Sequence, residues 1–185
     1  MATFEVYGGK PLKGELYPQG AKNEALQILC AVLLTPEKIT IRNIPNIRDV
    51  LKLIELLQCM GVEVERVNST TCNFWAKNVN VEYLTTEDFK NKAASLRGSI
   101  MVVGPLLARY GVGYIPKPGG DKIGRRRVDT HFMGFEKLGA KFNYDTKDNF
   151  FKVEGKNLKG AYMLLDEASV TGTANILMCA VMTPG

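Results

Sequence analysis

The chain has 185 residues, 45% apolar and 23% charged, with 24 lysines and arginines against 19 acids and a formal charge of +5. That length lets one domain bury a core without disulfides or a structural metal, and no run reaches the ~18 apolar residues of a membrane span. Residues 1–10 lack the basic-then-apolar layout of a secretory leader, and one histidine with four scattered cysteines argues against a zinc site of nitrogen and sulfur ligands. Cys30, Cys59, Cys72 and Cys179 have no paired spacing, and three lie in apolar runs, which reads as reduced thiols in a cytoplasmic setting.

In chain order, Thr3 to Tyr7 reads as a strand. Gln19 to Leu26 opens a helix with small and polar residues, and the apolar run from Ile28 continues it until Thr35-Pro36. Ile39 to Ile44 reads as a strand. Val50, Leu53, Ile54, Leu57 and Met60 then form one face of a second helix, with Asn46 placed to cap it and Gly61 to end it. Val62 to Val67 and Cys72 to Ala76 follow as strands, with Trp75 assigned to the core. Ser95 to Ser99 opens another helix, carried on by Val102 to Tyr110, and Gly113 to Pro116 is a strand. Val128, His131, Phe132, Phe135 and Leu138 repeat the earlier stripe and again end on a glycine, Gly139. Ala140 to Tyr144, Phe150 to Glu154 and Ala161 to Leu165 read as strands, and the last apolar run is a helix.

These elements repeat. Ile28 to Pro36 returns 148 residues later as Ile176 to Pro184, Thr-Pro closing both, and half that offset lands on Val102 to Tyr110. The second helix recurs at an offset of 78 rather than 74, so four extra residues lie in the segment Pro116 to Arg127 of the second copy. Each unit is a lead-in strand, helix, strand, helix and hairpin. The third copy ends after its first helix at Gly185, so the expectation is a piece of a longer protein.

Two features could carry chemistry. Each copy opens its first helix with polar and small residues: Gly20-Ala21-Lys22-Asn23, then Arg97-Gly98-Ser99, then Ser169-Val170-Thr171-Gly172. Helix N-termini carry free N–H groups and partial positive charge, so three of them converging with Lys22 and Arg97 would bind anions; three capped surface helices are the alternative. The second feature is the insertion, where Lys117, Lys122, Arg125, Arg126 and Arg127, less Asp121 and Asp129, hold over half the net charge. Its glycines permit close approach to a phosphate and its guanidinium groups suit bidentate contact. A solvated basic turn and a nucleic-acid patch are the competing readings. The patch lacks interleaved aromatics. His131 occupies the place of Leu53 and reads as packing, although any Ser-His-Asp chemistry would have to use it.

Taken together, Gly20-Ala21-Lys22-Asn23, Arg97-Gly98-Ser99, Gly104-Pro-Leu-Leu-Ala-Arg109, Pro118-Gly-Gly-Asp-x-Ile-Gly-x-Arg126-x-Val-Asp129-x-His131 and Ser169-Val170 resemble the UDP-N-acetylglucosamine 1-carboxyvinyltransferases. The resemblance spans the whole chain. It implies an α/β fold, an inside-out α/β barrel lobe of βαβαββ units cut short in the third repeat. Residues 19–185 would belong to this first lobe, while 1–18 would join another lobe, absent here. It implies transfer of the enolpyruvyl group of phosphoenolpyruvate to the 3′-hydroxyl of UDP-N-acetylglucosamine with release of phosphate, the step that opens peptidoglycan synthesis for cell wall, shape and division. No metal, organic cofactor, nucleic acid or membrane is implied as partner. A sister enzyme acting on shikimate 3-phosphate is the close alternative.

By the same resemblance Lys22 and Asn23 contact phosphoenolpyruvate. Arg97, Arg126, Arg127, Val128, Asp129, Thr130, Ser169 and Val170 line the nucleotide-sugar site. Asp121 stands where most relatives have a cysteine and becomes the candidate general acid, which implies insensitivity to fosfomycin, an epoxide that alkylates that thiol. An aspartate is ordinarily ionised at pH 7, so a donor here needs its pKa raised by anionic substrate and closure. Glu167 replaces a lysine common in relatives, and Arg127 a proline. The lobe alone is expected to lack turnover.

Overall fold

The computed structural model of the protein describes residues 3–116, 128–145 and 150–185. Helix α1 (Lys22–Ala31) continues as a 3-10 turn (Val32–Leu34) into β1 (Lys38–Ile41), α2 (Arg48–Cys59) and the hairpin β2 (Glu63–Asn68) and β3 (Thr71–Trp75). After α3 (Glu87–Ala94) a 3-10 turn (Arg97–Val102) leads into α4 (Val103–Tyr110), β4 (Val112–Pro116), α5 (Asp129–Lys137) and the hairpin β5 (Lys141–Asp145) and β6 (Phe150–Glu154). The last helix is α6 (Val170–Ala180).

The two sheets repeat the same topology, β1-β3-β2 and β4-β6-β5, antiparallel throughout with the last strand of each unit in the middle. The registers correspond: Trp75 lies between Lys38 and Glu63, and Glu154 between Val112 and Lys141. The apolar stripe explains how each second helix docks. Val50, Leu53, Ile54, Leu56 and Leu57 of α2 are all buried, each contributing about 2 kcal/mol by leaving water. Gly61 and Gly139 follow α2 and α5 at φ of +94° and +97°, a left-handed geometry that glycine adopts without strain. Asn68 makes the first hairpin turn, its side chain accepting from the Thr70 N–H at 2.9 Å.

The first helices of the units pack on one another, α4 against α6 and α1 against the 97–102 turn, with the sheets outside them. Leu29, Leu33, Val103, Leu106, Leu107 and Cys179 are fully buried in that centre. Close approach is built in at Gly104, where a Cβ would overlap the carbonyl oxygen of Asn175.

Several sequence expectations are corrected. Thr3 to Tyr7 and Ala161 to Leu165 form no strand. Phe4, Leu12, Tyr162 and Leu164 are almost wholly exposed, and among the described residues no strand runs beside them to complete a ladder. The observed unit is therefore αβαββ without its lead-in strand. Ile47, not Asn46, is the N-cap of α2, and no side chain caps it. The second unit's first helix begins as a 3-10 turn rather than an α-helix. Trp75 is half-buried at the edge of β3, with the Lys38 ammonium 4.8 Å from its ring centre.

Candidate functional site

The first turns of α5 and α6 meet. Ser169 caps α6, its hydroxyl oxygen accepting from the Gly172 N–H at 3.1 Å, and it leaves Val170 exposed on the first turn. Buried Thr130 at the start of α5 donates its hydroxyl to Glu167 at 3.0 Å. Asp129 beside it is exposed and Val128 half-buried.

His131, one residue further on, is 2% exposed and fully engaged. The Asn175 amide donates one hydrogen to His131 Nδ1 at 3.0 Å and the other to the Ile100 carbonyl at 2.9 Å, while its oxygen accepts from the Gly104 N–H at 2.9 Å. The Gly104 donor fixes which amide atom is oxygen, so Nδ1 must accept, and the neutral ring carries its proton on Nε2, facing the Thr171 hydroxyl at 3.4 Å. Burial lowers the imidazole pKa to about 4, and the nearby Arg97 guanidinium adds to the effect. His131 is thus a packing residue with a directional polar role, not a general base.

Arg97 sits half-buried on the 97–102 turn, close enough to act electrostatically on His131. That turn also packs on α1, because Gly98 faces the Leu26 side chain. Lys22 and Asn23 are exposed on the first turn of α1, which has no side-chain cap. The Lys22 ammonium pairs with Asp49 of α2 at 3.0 Å. The structure thus gathers Arg97, Val128, Asp129, Thr130, Ser169 and Val170 at the meeting of three chain segments. Lys22 and Asn23 stand on α1, which packs on that turn. Asp121, Arg126 and Arg127 lie outside the described residues.

Sequence reasoning missed Asn175 and Asp49. The signal for Asn175 was present: it is a lone amide within the apolar run Ala174 to Val181. Asp49 gave none, since an acid in a helix first turn is ordinary.

Of the gathered residues, Thr130 is buried, Arg97, Val128 and Ser169 are half-buried, and Asp129 and Val170 are exposed. One hollow of about 160 Å³ lies beside the α1 N-terminus, lined by Gly20, Ala21, Glu24 and Arg42 among others. A more open one of about 370 Å³ lies away from the site, between Ala108, Gly155 to Lys159 and Met182 to Pro184. Neither encloses Arg97, Thr130 and Ser169.

The family profile of EPSP synthase (3-phosphoshikimate 1-carboxyvinyltransferase) matches residues 6–185. Among curated proteins, a UDP-N-acetylglucosamine 1-carboxyvinyltransferase of Bacteroides thetaiotaomicron is 56% identical over the whole chain, and one of Porphyromonas gingivalis 55%. The chain spans 43% of the length of each. Among solved structures, the enolpyruvyl transferase NikO from Streptomyces tendae superposes with a TM-score of 0.76 at 16% identity, covering 96% of this chain and 41% of that one. An EPSP synthase from Acinetobacter baumannii gives 0.67 at 18% identity, covering 96% of this chain and 40% of its own. Since the profile takes in all but the first five residues and the same fold recurs in these transferases, the chain belongs to the EPSP synthase (3-phosphoshikimate 1-carboxyvinyltransferase) family.

Proposed function

We propose that this chain is the first lobe of an enzyme that moves the enolpyruvyl group of phosphoenolpyruvate onto the 3′-hydroxyl of UDP-N-acetylglucosamine. The carrying observation is the 56% identity, along the whole chain, to a protein named for that reaction. The 3′-hydroxyl gives up its proton as its oxygen bonds to C2 of phosphoenolpyruvate, and the C2=C3 double bond is consumed as a proton is added at C3. A proton then leaves C3 as the C2–O bond to phosphate breaks. The reaction places a phosphate, a carboxylate and a diphosphate in one cleft, which calls for fixed cations and free N–H groups. Lys22 and Asn23 hold phosphoenolpyruvate. Arg97, Val128, Asp129, Thr130, Ser169 and Val170, with Arg126 and Arg127, hold the nucleotide sugar. Asp121 delivers the proton, and without a thiol in that loop fosfomycin has nothing to alkylate.

The 43% share of the relatives' length that this chain spans supports a second lobe, and a cleft between two lobes would bury most of such a ligand. Residues 1–18 are assigned to that lobe, which fits the near-complete exposure of Phe4, Val6 and Leu12. The enzyme works in the cytoplasm and serves cell-wall synthesis. The test is phosphate release by the full-length protein. Turnover with UDP-N-acetylglucosamine and none with shikimate 3-phosphate is expected. The reverse preference, or turnover retained by Asp121→Asn, would overturn the assignment. The 185-residue chain alone is expected to release no phosphate.

A further inference from the structure

The His131 ring lies along one face of α6. Its two nitrogens face Thr171 and Asn175, one turn apart on that helix. Asn175 is in turn held by the Ile100 carbonyl and the Gly104 N–H of the neighbouring unit, so the ring connects α5 to a fixed point rather than to a free side chain. Gly134, one turn along α5, lets the two helices come close, because a Cβ there would overlap the Ile176 side chain. Folding does not require this polarity. Leu53, at the same position of the first unit, is buried with no polar group, and so is Met101, at the position of the second unit that corresponds to Asn175. The polar version appears where Arg97, Thr130 and Ser169 gather.

We infer that Asn175 and Thr171, acting through His131, are positioning residues that set the gap between the first turns of α5 and α6, and with it the fit of the nucleotide sugar between Val128–Thr130 and Ser169–Val170. The identity of that ligand rests on the function proposed above. Asn175 selects the tautomer and Thr171 receives the resulting Nε2–H, so the ring pulls the two turns together in one orientation. The Thr130–Glu167 hydrogen bond is a second link between the same two segments. Neither Asn175 nor Thr171 needs to touch the substrate.

His131 is the one histidine of the chain, so nitrogen-15 NMR reads its ring without ambiguity. In the 185-residue chain the expected result is a neutral ring protonated on Nε2. In Asn175→Asp the carboxylate can only accept, and the proton should move to Nδ1. A wild-type ring protonated on Nδ1, or an Asn175→Asp ring unchanged, would overturn the inference. In the full-length protein, Thr171→Val, at an exposed site where folding is not at risk, should raise the KM for UDP-N-acetylglucosamine about 2- to 10-fold, the effect of one hydrogen bond. It should leave kcat and the KM for phosphoenolpyruvate unchanged, and Thr171→Ser should restore the wild-type value. An unchanged KM, or equal changes for both substrates, would remove the positioning role. A full-length protein that forms the Nε2–H tautomer yet shows no phosphate release with UDP-N-acetylglucosamine would overturn the proposed function and this role with it, leaving only the tautomer assignment.

Discussion

Lys22 Nζ lies 3.0 Å from Asp49 Oδ2, so the first turn of α1 is tied to the first turn of α2 across 27 residues of chain. Both side chains are more than two-fifths exposed. Water and salt therefore screen the pair, and its worth to folding is small. Asp49→Asn should lower stability by less than about 1 kcal/mol in urea unfolding, and 1 M salt should erase the difference. A loss of several kcal/mol would mean that the pair is a structural strut and that Lys22 is not available to an anionic ligand.

His131 makes stability depend on pH. Its folded pKa of about 4 lies below the ordinary value of 6.5, so between those limits the unfolded chain takes up a proton that the folded chain refuses. The contribution is whole above pH 6.5 and falls away as pH drops towards 4, by on the order of 3 kcal/mol. His131→Leu, the residue that the first unit carries, removes this term. Urea midpoints measured at pH 7, 5.5 and 4.5 should fall more steeply for the wild type than for the variant; parallel curves would contradict the buried neutral ring.

Gly104 and Gly134 both face α6, but they meet different atoms. A methyl at 104 collides with backbone and amide oxygens of Asn175, which are held by hydrogen bonds, while a methyl at 134 meets Cδ1 and Cγ1 of the Ile176 side chain, which can give more readily than backbone. Gly104→Ala should therefore cost about 3 kcal/mol or more, and Gly134→Ala clearly less despite a similar initial overlap. Thermal unfolding of the two variants checks the order.

Arg109 of α4 donates to the carbonyls of Leu33 at 3.1 Å and Ala76 at 2.7 Å, joining the end of the first unit's helix to the end of its hairpin. Arg109→Ala leaves both carbonyls without that donor and should cost about 2 kcal/mol. Both bonds leave one nitrogen, Nη1, whose two hydrogens are fixed in the guanidinium plane. Arg109→Lys should recover only part, since a shorter stem ending in a freely rotating ammonium is not held in that geometry. Equal stability of the lysine variant and the wild type would show that charge alone suffices.

Much of this architecture was legible in the chain. The offsets of 74, 78 and 148 residues give the repeat, and the stripe from Val50 to Met60 gives α2 with its glycine stop, because helix periodicity and left-handed φ are local properties. The helix starts that carry Lys22, Arg97, Thr130 and Ser169 were legible too, because short-range rules apply there. Six of the expected strands formed, but which runs would fail to pair was not legible. Thr3 to Tyr7 alternates and Ala161 to Leu165 is a short apolar run, both strand-like, but a strand exists only where another edge supplies its hydrogen bonds, and no periodicity reports that. Likewise the sequence ranked His131 as a packing residue without naming its partners. Asn175, 44 residues away, fixes its tautomer. Local propensity and spacing thus determined the repeated units, and only the tertiary structure decided which helix faces meet, because hydrogen bonds between distant residues depend on how the units stack rather than on any one segment's pattern.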